Sequence, residues 1–250
     1  MGTDPVCAIP LSERDAVAAS FYNGRIYLFC SVEHRDLFQA DPERYSHNVR
    51  AMALKVGVMG AASGNLTAET RAAARELGRA VGTRGMVMVS GAAPGLPLES
   101  ALGTQSVKGL SIGISPALSL DEHVHVYHSP VDGFDVLIYT GSGLMGREIV
   151  NIRSSDIVVI IGGHSGTLGE FAIAYDEGKL IGILQGTGGI ADLVPELVSA
   201  IDKETGASVL YDSDPNRLID RLVDHYVNIH FQRPSVFTRN GATGGHPLPG

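Results

Sequence analysis

The 250-residue chain carries 27 acidic and 19 basic side chains, a net charge of −8, and 44% of its residues are hydrophobic. This balance is typical of a packed globular protein with room for one sizeable α/β domain and a small extra module. The net negative charge argues against nonspecific binding to nucleic acid or to an anionic membrane, because both need a basic face. It leaves open a small anionic ligand held by backbone N–H groups.

The sequence lacks the marks of export or membrane insertion. No apolar run reaches the ~18 residues that span a bilayer, and the N-terminal MGTDPVC has no basic segment followed by an apolar one. Without a secretion signal, the two cysteines, Cys7 and Cys30, are expected to be reduced or metal-bound rather than disulfide-linked. We therefore expect a cytoplasmic protein.

Residues 1–50 differ in character from the rest of the chain. They contain both cysteines and a run of aromatic residues, with little helical periodicity. Three segments, DPVC (4–7), NGRIYLFCSVEH (23–34) and FQADPERY (38–45), together resemble the YHS domain, a small module related to metal-binding units. The resemblance predicts a small N-terminal α+β module that binds metal or docks a partner.

The YHS resemblance implies a metal site in this module. Cys7, Cys30 and His34 are the candidate ligands, and two Cys with one His is a set that zinc accepts. Asp4, His47 or water would complete the coordination. The alternative is a small apolar fold in which the two cysteines are simply buried, since free Cys is among the most buried residue types.

From Lys55 onward, continuous apolar runs alternate with helical patterns, the last at 216–231. The runs cover 55–60, 86–91, 110–116, 135–140, 156–163, 179–186 and 207–212. Continuous apolar character is expected for strands buried on both faces of a parallel sheet. Residues 51–231 are therefore predicted to form a Rossmann-like α/β domain, with a doubly wound, mostly parallel sheet of about seven strands.

Two segments of the chain have less regular patterns. The Gly- and Pro-rich segment 232–250 is predicted to be a flexible tail. In HVHVYH, the histidines His123, His125 and His128 recur at short intervals. This spacing is consistent with a polar strand edge or with metal ligands.

Small residues follow four of the predicted strands, at 60–64, 91–95, 162–167 and 186–189. Ligands of a doubly wound sheet bind at this edge, where helix N-termini present free N–H groups. A glycine after a strand can simply make a tight turn, but four such loops on one edge favour a phosphate site. The candidate ligand-binding residues are Gly60, Ala61, Ser63, Gly91, Gly163, His164, Ser165, Gly166 and Thr167. The first loop is neither a G-x-G-x-x-G motif nor a P-loop, so standard NAD binding and nucleoside-triphosphate hydrolysis are not expected.

Two charged residues flank the loop at 162–167. Glu170 lies three residues after Thr167, in the predicted first turn of a helix, where the helix dipole favours a carboxylate. Arg147 follows the strand at 135–140. Alone, the first could be a capping carboxylate and the second a surface charge. Together, beside a glycine loop, they indicate a site.

The stretch GREIVNIRSSDIVVIIGGHSGTLGEF (146–171) resembles the signature region of the Lonely Guy family of nucleotide phosphoribohydrolases. Arg147, Arg153 and Asp156 keep the family's spacing, and the resemblance implies Arg147 and Glu170 as the catalytic residues. The family's P-G-G-x-G-T motif differs here, with Gly162 for the proline, His164 for the second glycine and Ser165 at the aromatic position. These changes resemble the related branch that includes molybdenum-cofactor carrier proteins.

The resemblance implies a cofactor-independent N-glycosidase that releases a base and ribose 5-phosphate from nucleotide 5′-monophosphates. The glycine loops would hold the 5′-phosphate, Arg147 would orient the substrate, and Glu170 would assist water at the ribose C1′ through an oxocarbenium-like state. The alternative is a non-catalytic carrier or sensor of a nucleotide or a molybdenum-cofactor-like compound. A homodimer or homotetramer is also implied, since related proteins share sites across subunits.

Overall fold

The computed structural model describes residues 2–232, which begin with a small α+β module. Its strands are β1 (Gly2–Thr3), β2 (Pro10–Leu11), β3 (Ala18–Tyr22) and β4 (Arg25–Phe29), and its helices are α1 (Val32–Ala40) and α2 (Pro42–Ser46). β1 pairs with β2 and β3 pairs with β4, both antiparallel. Phe29 and Phe38 are fully buried, and their rings pack against each other in the module core.

The first 50 residues are more helical than their pattern indicates. Ser31 caps α1 by accepting a hydrogen bond from the His34 N–H, and Asp41 caps α2 through the Arg44 N–H. Phe38 is the only residue of α1 that is buried, so the helix leaves almost no apolar periodicity in the sequence.

The large domain is built on a seven-stranded sheet. Its strands are β5 (Lys55–Gly60), β6 (Val87–Ser90), β7 (Leu110–Ser115), β8 (Val136–Tyr139), β9 (Ile157–Ile161), β10 (Leu180–Leu184) and β11 (Ser208–Asp212). The order is β11-β10-β9-β5-β6-β7-β8, and every neighbouring pair is parallel. This confirms the predicted Rossmann-like α/β fold and all seven predicted strands.

Helices cover both faces of the sheet. They are α3 (Ala68–Thr83), α4 (Leu96–Ser106), α5 (Leu120–His125), α6 (Gly143–Arg153), α7 (Ser165–Asp176), α8 (Gly189–Ile201) and α9 (Pro215–Asn228). One apolar core lies between the sheet and α3, α4 and α9, and a second lies between the sheet and α7 and α8. None of the helices within residues 2–232 is long and apolar enough to cross a membrane.

The strand order reverses between β5 and β9. From β5 the chain winds outward through β6 and β7 to β8, and α6 then carries it back to β9 on the other side of β5. In open α/β sheets, the crevice at the carboxyl ends of the two strands beside such a reversal is where ligands bind. Here that crevice lies between the loops that follow Gly60 and Ile161.

The strand edge considered for HVHVYH is wrong, because the segment begins within α5. Ser119 caps this helix by accepting from the Glu122 N–H. His123 is fully buried, with Nδ1 2.8 Å from Ser115 Oγ and Nε2 3.0 Å from the Pro130 carbonyl oxygen. The described part of the chain forms no cluster of potential metal ligands around these histidines.

The small module packs directly on the large domain. Ala16 and Ala19 form one apolar cluster with Phe231, and Tyr226 packs against this cluster. The Gln232 side chain donates to the Ala16 carbonyl oxygen at 3.0 Å. Apart from Gln232, the tail predicted at 232–250 lies outside the described residues.

Candidate functional site

A cavity of about 240 Å³ lies at the carboxyl ends of β5 and β9. Most of the candidate residues line it, namely Gly60, Ala61, Ser63, Gly91, Arg147, His164, Gly166, Thr167 and Glu170. Gly163 and Ser165, the two neighbours of His164 in sequence, do not line the cavity. The crevice beside the strand reversal thus brings together residues that are up to 110 positions apart in sequence.

Arg147 is buried rather than exposed, with 8% of its surface accessible. Its guanidinium lies directly against the Cα of Gly91, where the Cβ of any other residue would overlap it. Nη1 is 3.5 Å from Glu170 Oε1, a distance that is long for an ion pair. Nε has no hydrogen-bond partner within residues 2–232. The alternative that Arg147 is a surface charge is therefore wrong, and part of its donor capacity is unused.

Glu170 lies in the second turn of α7 and not in the first, because the helix begins at Ser165 after the cap residue His164. The helix dipole, which acts mainly on the first turn, therefore does little for this carboxylate. Burial raises the pKa of Glu170 to about 7, against the opposing effect of Arg147 and with a further rise caused by Glu148. Near neutral pH both protonation states are populated, as suits a group that accepts and returns a proton.

Sequence reasoning missed Asn151 and Glu148, two residues of α6 beside this pair. Asn151 Nδ2 is 3.4 Å from Glu170 Oε1. Glu148 is also buried, which raises the pKa of its carboxyl group, and it lines the cavity. Its two oxygens lie against the Cα positions of Gly166 and Gly169 on α7, which leave room for it. The four-residue spacing of Arg147 and Asn151, which places both on one helix face, was the available signal.

The loop between β9 and α7 needs glycine at two consecutive positions. Gly162 and Gly163 have φ values of +57° and +105°, a region that other residues rarely adopt. The Thr167 side chain packs within 2.7 Å of where a Cβ on Gly163 would lie. The Gly162 N–H donates to Thr187 Oγ1 at 2.9 Å, so this amide is already bound within the protein.

His164 links this loop to the one after β5. A Cβ on Gly64 would lie 2.9 Å from His164 Cε1, so the imidazole packs on the first loop at the cavity wall. The fourth glycine loop, at 186–189, lies outside the cavity lining. Its Gly186 and Gly188 N–H groups donate to the Asp192 carboxylate at 2.7 and 2.9 Å, which closes the loop internally.

A second candidate site lies in the N-terminal module, where Asp4, Cys7, Cys30 and His34 converge. Their potential ligand atoms all lie within 4.8 Å of one another. The Cys7 and Cys30 sulfurs are 3.7 Å apart, Cys30 Sγ is 3.3 Å from His34 Nδ1, and that nitrogen is 3.0 Å from Asp4 Oδ2. Ligand atoms around tetrahedral zinc are roughly 3.3–3.8 Å apart, given the usual bond lengths. The four side chains can therefore hold a metal ion, with Asp4 rather than His47 completing the set.

The charges in this cluster favour a cation. Burial alone would raise the pKa of Asp4, but hydrogen bonds from the Cys30 N–H, His34 and the Val6 N–H hold it well below its usual range. Contact with Asp4, together with burial and the Cys7 thiol, raises the pKa of Cys30 to about 12. Forming the Cys30 thiolate therefore calls for a nearby positive charge, which a bound metal ion supplies.

Comparison with known proteins places both parts of the chain. The YHS domain model matches residues 2–49, and the SLOG cluster4 family model matches residues 53–219. An uncharacterized protein from Archaeoglobus fulgidus is 32% identical over 132 residues, which cover 53% of this chain and 80% of that protein.

Solved structures share the fold of the large domain. The molybdenum cofactor binding protein from Rippkaea orientalis is 28% identical with a TM-score of 0.58, covering 70% of this chain and 98% of its own. The molybdenum cofactor carrier protein from Chlamydomonas reinhardtii is 26% identical with a TM-score of 0.55, covering 68% and 99%. This chain belongs to the SLOG cluster4 family, with a YHS domain preceding its Rossmann-like domain.

Proposed function

We propose that the Rossmann-like domain is a nucleotide 5′-monophosphate N-glycosidase that releases a base and ribose 5-phosphate. The observation that carries this proposal is the buried pair of Arg147 and Glu170 in the cavity at the strand reversal. The raised pKa of Glu170, about 7, supports its use in proton transfer near neutral pH.

The substrate's phosphate is assigned to the small residues of the cavity wall. Gly60, Ala61 and Ser63 contribute one side, and Gly166 and Thr167 in the first turn of α7 contribute the other. Small residues allow close approach of the backbone, and the N-terminus of α7 favours a negative charge. Arg147, with Nε unused, adds a fixed positive charge beside this position.

The chemical step is assigned to Glu170. Its carboxylate takes a proton from a water molecule as the water oxygen bonds to the ribose C1′. The C1′–N bond breaks and its electron pair moves to the base nitrogen. Glu170 then returns its proton to the base, so the products are the free base and ribose 5-phosphate. The carboxylate also stabilises the oxocarbenium-like transition state.

The direct test incubates the protein with a panel of nucleoside monophosphates and follows free base by chromatography. Wild type is expected to release base from at least one nucleotide, and Glu170→Gln is not. Glu177→Gln is the matched control, because Glu177 lies at the end of the same helix and pairs with Arg153 outside the cavity. Release that is equal in wild type and Glu170→Gln would exclude the assigned role.

A second candidate function is a non-catalytic carrier of a molybdenum-cofactor-like or nucleotide ligand. It is favoured by the two solved structures above, which are named for binding or carrying the molybdenum cofactor. His164 on the cavity wall is the second supporting feature. If a nucleotide raised the melting temperature of the protein and no base were released, the result would favour this carrier function over the glycosidase.

We also propose that the domain works as a homodimer or homotetramer. α6 exposes Leu144 and Met145, the latter with 76% of its surface accessible, and α7 exposes Leu168. Leu144 lines the cavity as well. Val136 and Ile138 are exposed on β8, at the edge of the sheet. A second copy covering this apolar surface would also complete one wall of the site.

For the YHS domain we propose zinc as the metal. Two Cys, one His and one carboxylate form a donor set that zinc accepts in tetrahedral geometry. A module of about 50 residues gains from such a cross-link, because its own apolar core is small.

A further inference from the structure

Asn151 is a fully buried amide on α6 for which the mechanism above has no use. It follows Arg147 by four residues, so both side chains project from one helix face toward α7. Asn151 Nδ2 is 3.4 Å from Glu170 Oε1, and Arg147 Nη1 is 3.5 Å from the same oxygen. Two donors on α6 therefore converge on one atom of the carboxylate.

The orientation of the Asn151 amide follows from its neighbours. Nδ2 is also 3.0 Å from Met59 Sδ, so the donor end points toward two acceptors. With the amide reversed, Oδ1 would face the carboxylate oxygen and repel it. Oδ1 makes no hydrogen bond within residues 2–232, so the side-chain hydrogen bonds of Asn151 there are those that Nδ2 donates.

The two oxygens of Glu170 are consequently unequal. Oε1 is approached by Arg147 and Asn151, whereas no group in the described part of the chain hydrogen-bonds Oε2. Glu170 lines the cavity. Since lone pairs on Oε1 face N–H donors, a proton added to this carboxyl group is favoured on Oε2.

We propose that Asn151 is a positioning residue that holds Glu170 Oε1 and directs proton transfer to Oε2, the oxygen left for water and substrate. This inference rests on the proposed glycosidase activity, which gives the proton transfer its role, but the contact of Asn151 with Glu170 can be tested without measuring that activity. In the reaction, Oε2 receives the proton of the attacking water and gives it to the departing base. Oε1 accepts from Asn151 throughout, first as a carboxylate oxygen and then as the carbonyl oxygen of the acid.

The test follows the titration of Glu170 in nucleotide-free protein by carbon-13 NMR of labelled Glu carboxyl groups. The Glu170 signal is identified by its loss in Glu170→Gln. Asn151→Leu removes the donor to the charged form, so the titration midpoint is expected to move to higher pH by roughly one pH unit. The charged groups facing Glu170 are Arg147 and Glu148 from α6, with His164 on the same cavity wall, and the variant retains all three.

Two further variants keep the result decisive. Ser155→Ala removes a hydroxyl that donates to the main-chain carbonyl oxygen of Asn151 at 2.9 Å. This variant should leave the titration midpoint of Glu170 unchanged while altering the stability of the protein. Asn151→Ala replaces Asn151→Leu if the larger side chain prevents folding. An unchanged midpoint in a folded Asn151 variant would overturn the proposal. If the midpoint moves but wild type releases no base from any nucleotide, the glycosidase fails and the positioning role of Asn151 stands.

Discussion

Gly91 controls the position of Arg147, so Gly91→Ala is expected to disable the site without unfolding the protein. The added Cβ would lie 2.6 Å from Arg147 Cζ, whereas carbon atoms in contact are normally about 3.5–4.0 Å apart. It would also overlap Arg147 Nη1, the nearest atom, so the guanidinium must retreat by at least about 1 Å. Gly91 is not one of the described residues with a positive φ, so alanine is compatible with its backbone.

The size of the effect follows from that displacement. A 1 Å misplacement of a positioning group can lower catalysis about 100-fold, equivalent to roughly 2.7 kcal/mol of transition-state stabilisation. The overlap involves the far end of a flexible side chain, so the free energy of unfolding should change by about 1 kcal/mol or less. We expect a kcat/KM for base release near 1% of wild type, with a nearly unchanged urea midpoint.

A double-mutant cycle with Arg147→Ala isolates the cause. If the methyl group added by Gly91→Ala acts only by displacing the guanidinium, this substitution should have no further effect once the arginine side chain is gone. Full activity of Gly91→Ala, or additive losses in the double mutant, would refute this account of the site.

Three further outcomes are expected. Because burial raises the pKa of Glu170 from 4.5 to about 7, the folded protein binds the extra proton, and wild type should lose about 3 kcal/mol of stability as the pH rises from 4.5 through 7. Urea unfolding of Glu170→Gln at pH 5 and pH 8 should show no such loss. If the free energy of unfolding changed equally with pH in wild type and in this variant, the burial argument would be contradicted. One metal ion per chain should be found by elemental analysis, and Cys30→Ser or a chelator should lower the melting temperature; equal melting with and without chelator would exclude a structural metal. Met145→Glu should reduce the sedimenting mass to that of a monomer, and a monomeric wild type would contradict the proposed oligomer.

The strands and the location of the candidate site could be predicted from the sequence for simple reasons. β9 consists only of Ile and Val, a pattern typical of a central parallel strand. Glycine loops at strand ends are local features, and their convergence on one edge follows from the parallel arrangement. The resemblance of the segment 146–171 to a known signature added Arg147 and Glu170, and the structure brings these two side chains together.

What sequence could not supply depends on packing between elements. Asn151 reaches Glu170 because α6 packs against α7 at a distance that brings the Asn151 amide to the carboxylate. The angle and the spacing between two helices cannot be predicted from the sequence of either helix alone. Because α7 begins at Ser165, Glu170 lies in its second turn rather than in the first turn expected from sequence. The helix dipole therefore does little for its carboxylate, and burial raises its pKa instead. In the loop at 186–189, the backbone N–H groups that were expected to bind a ligand donate to the Asp192 carboxylate instead.

In the proposed function, a nucleotide monophosphate lies against Arg147 and loses its base through Glu170. The most direct measurement is single-turnover release of base by wild type and Glu170→Gln, with nucleotide binding measured for both proteins by calorimetry. We predict comparable nucleotide binding by the two proteins, with release of base at least about 100-fold slower in Glu170→Gln. Equal rates of release, or binding without release by wild type, would contradict it.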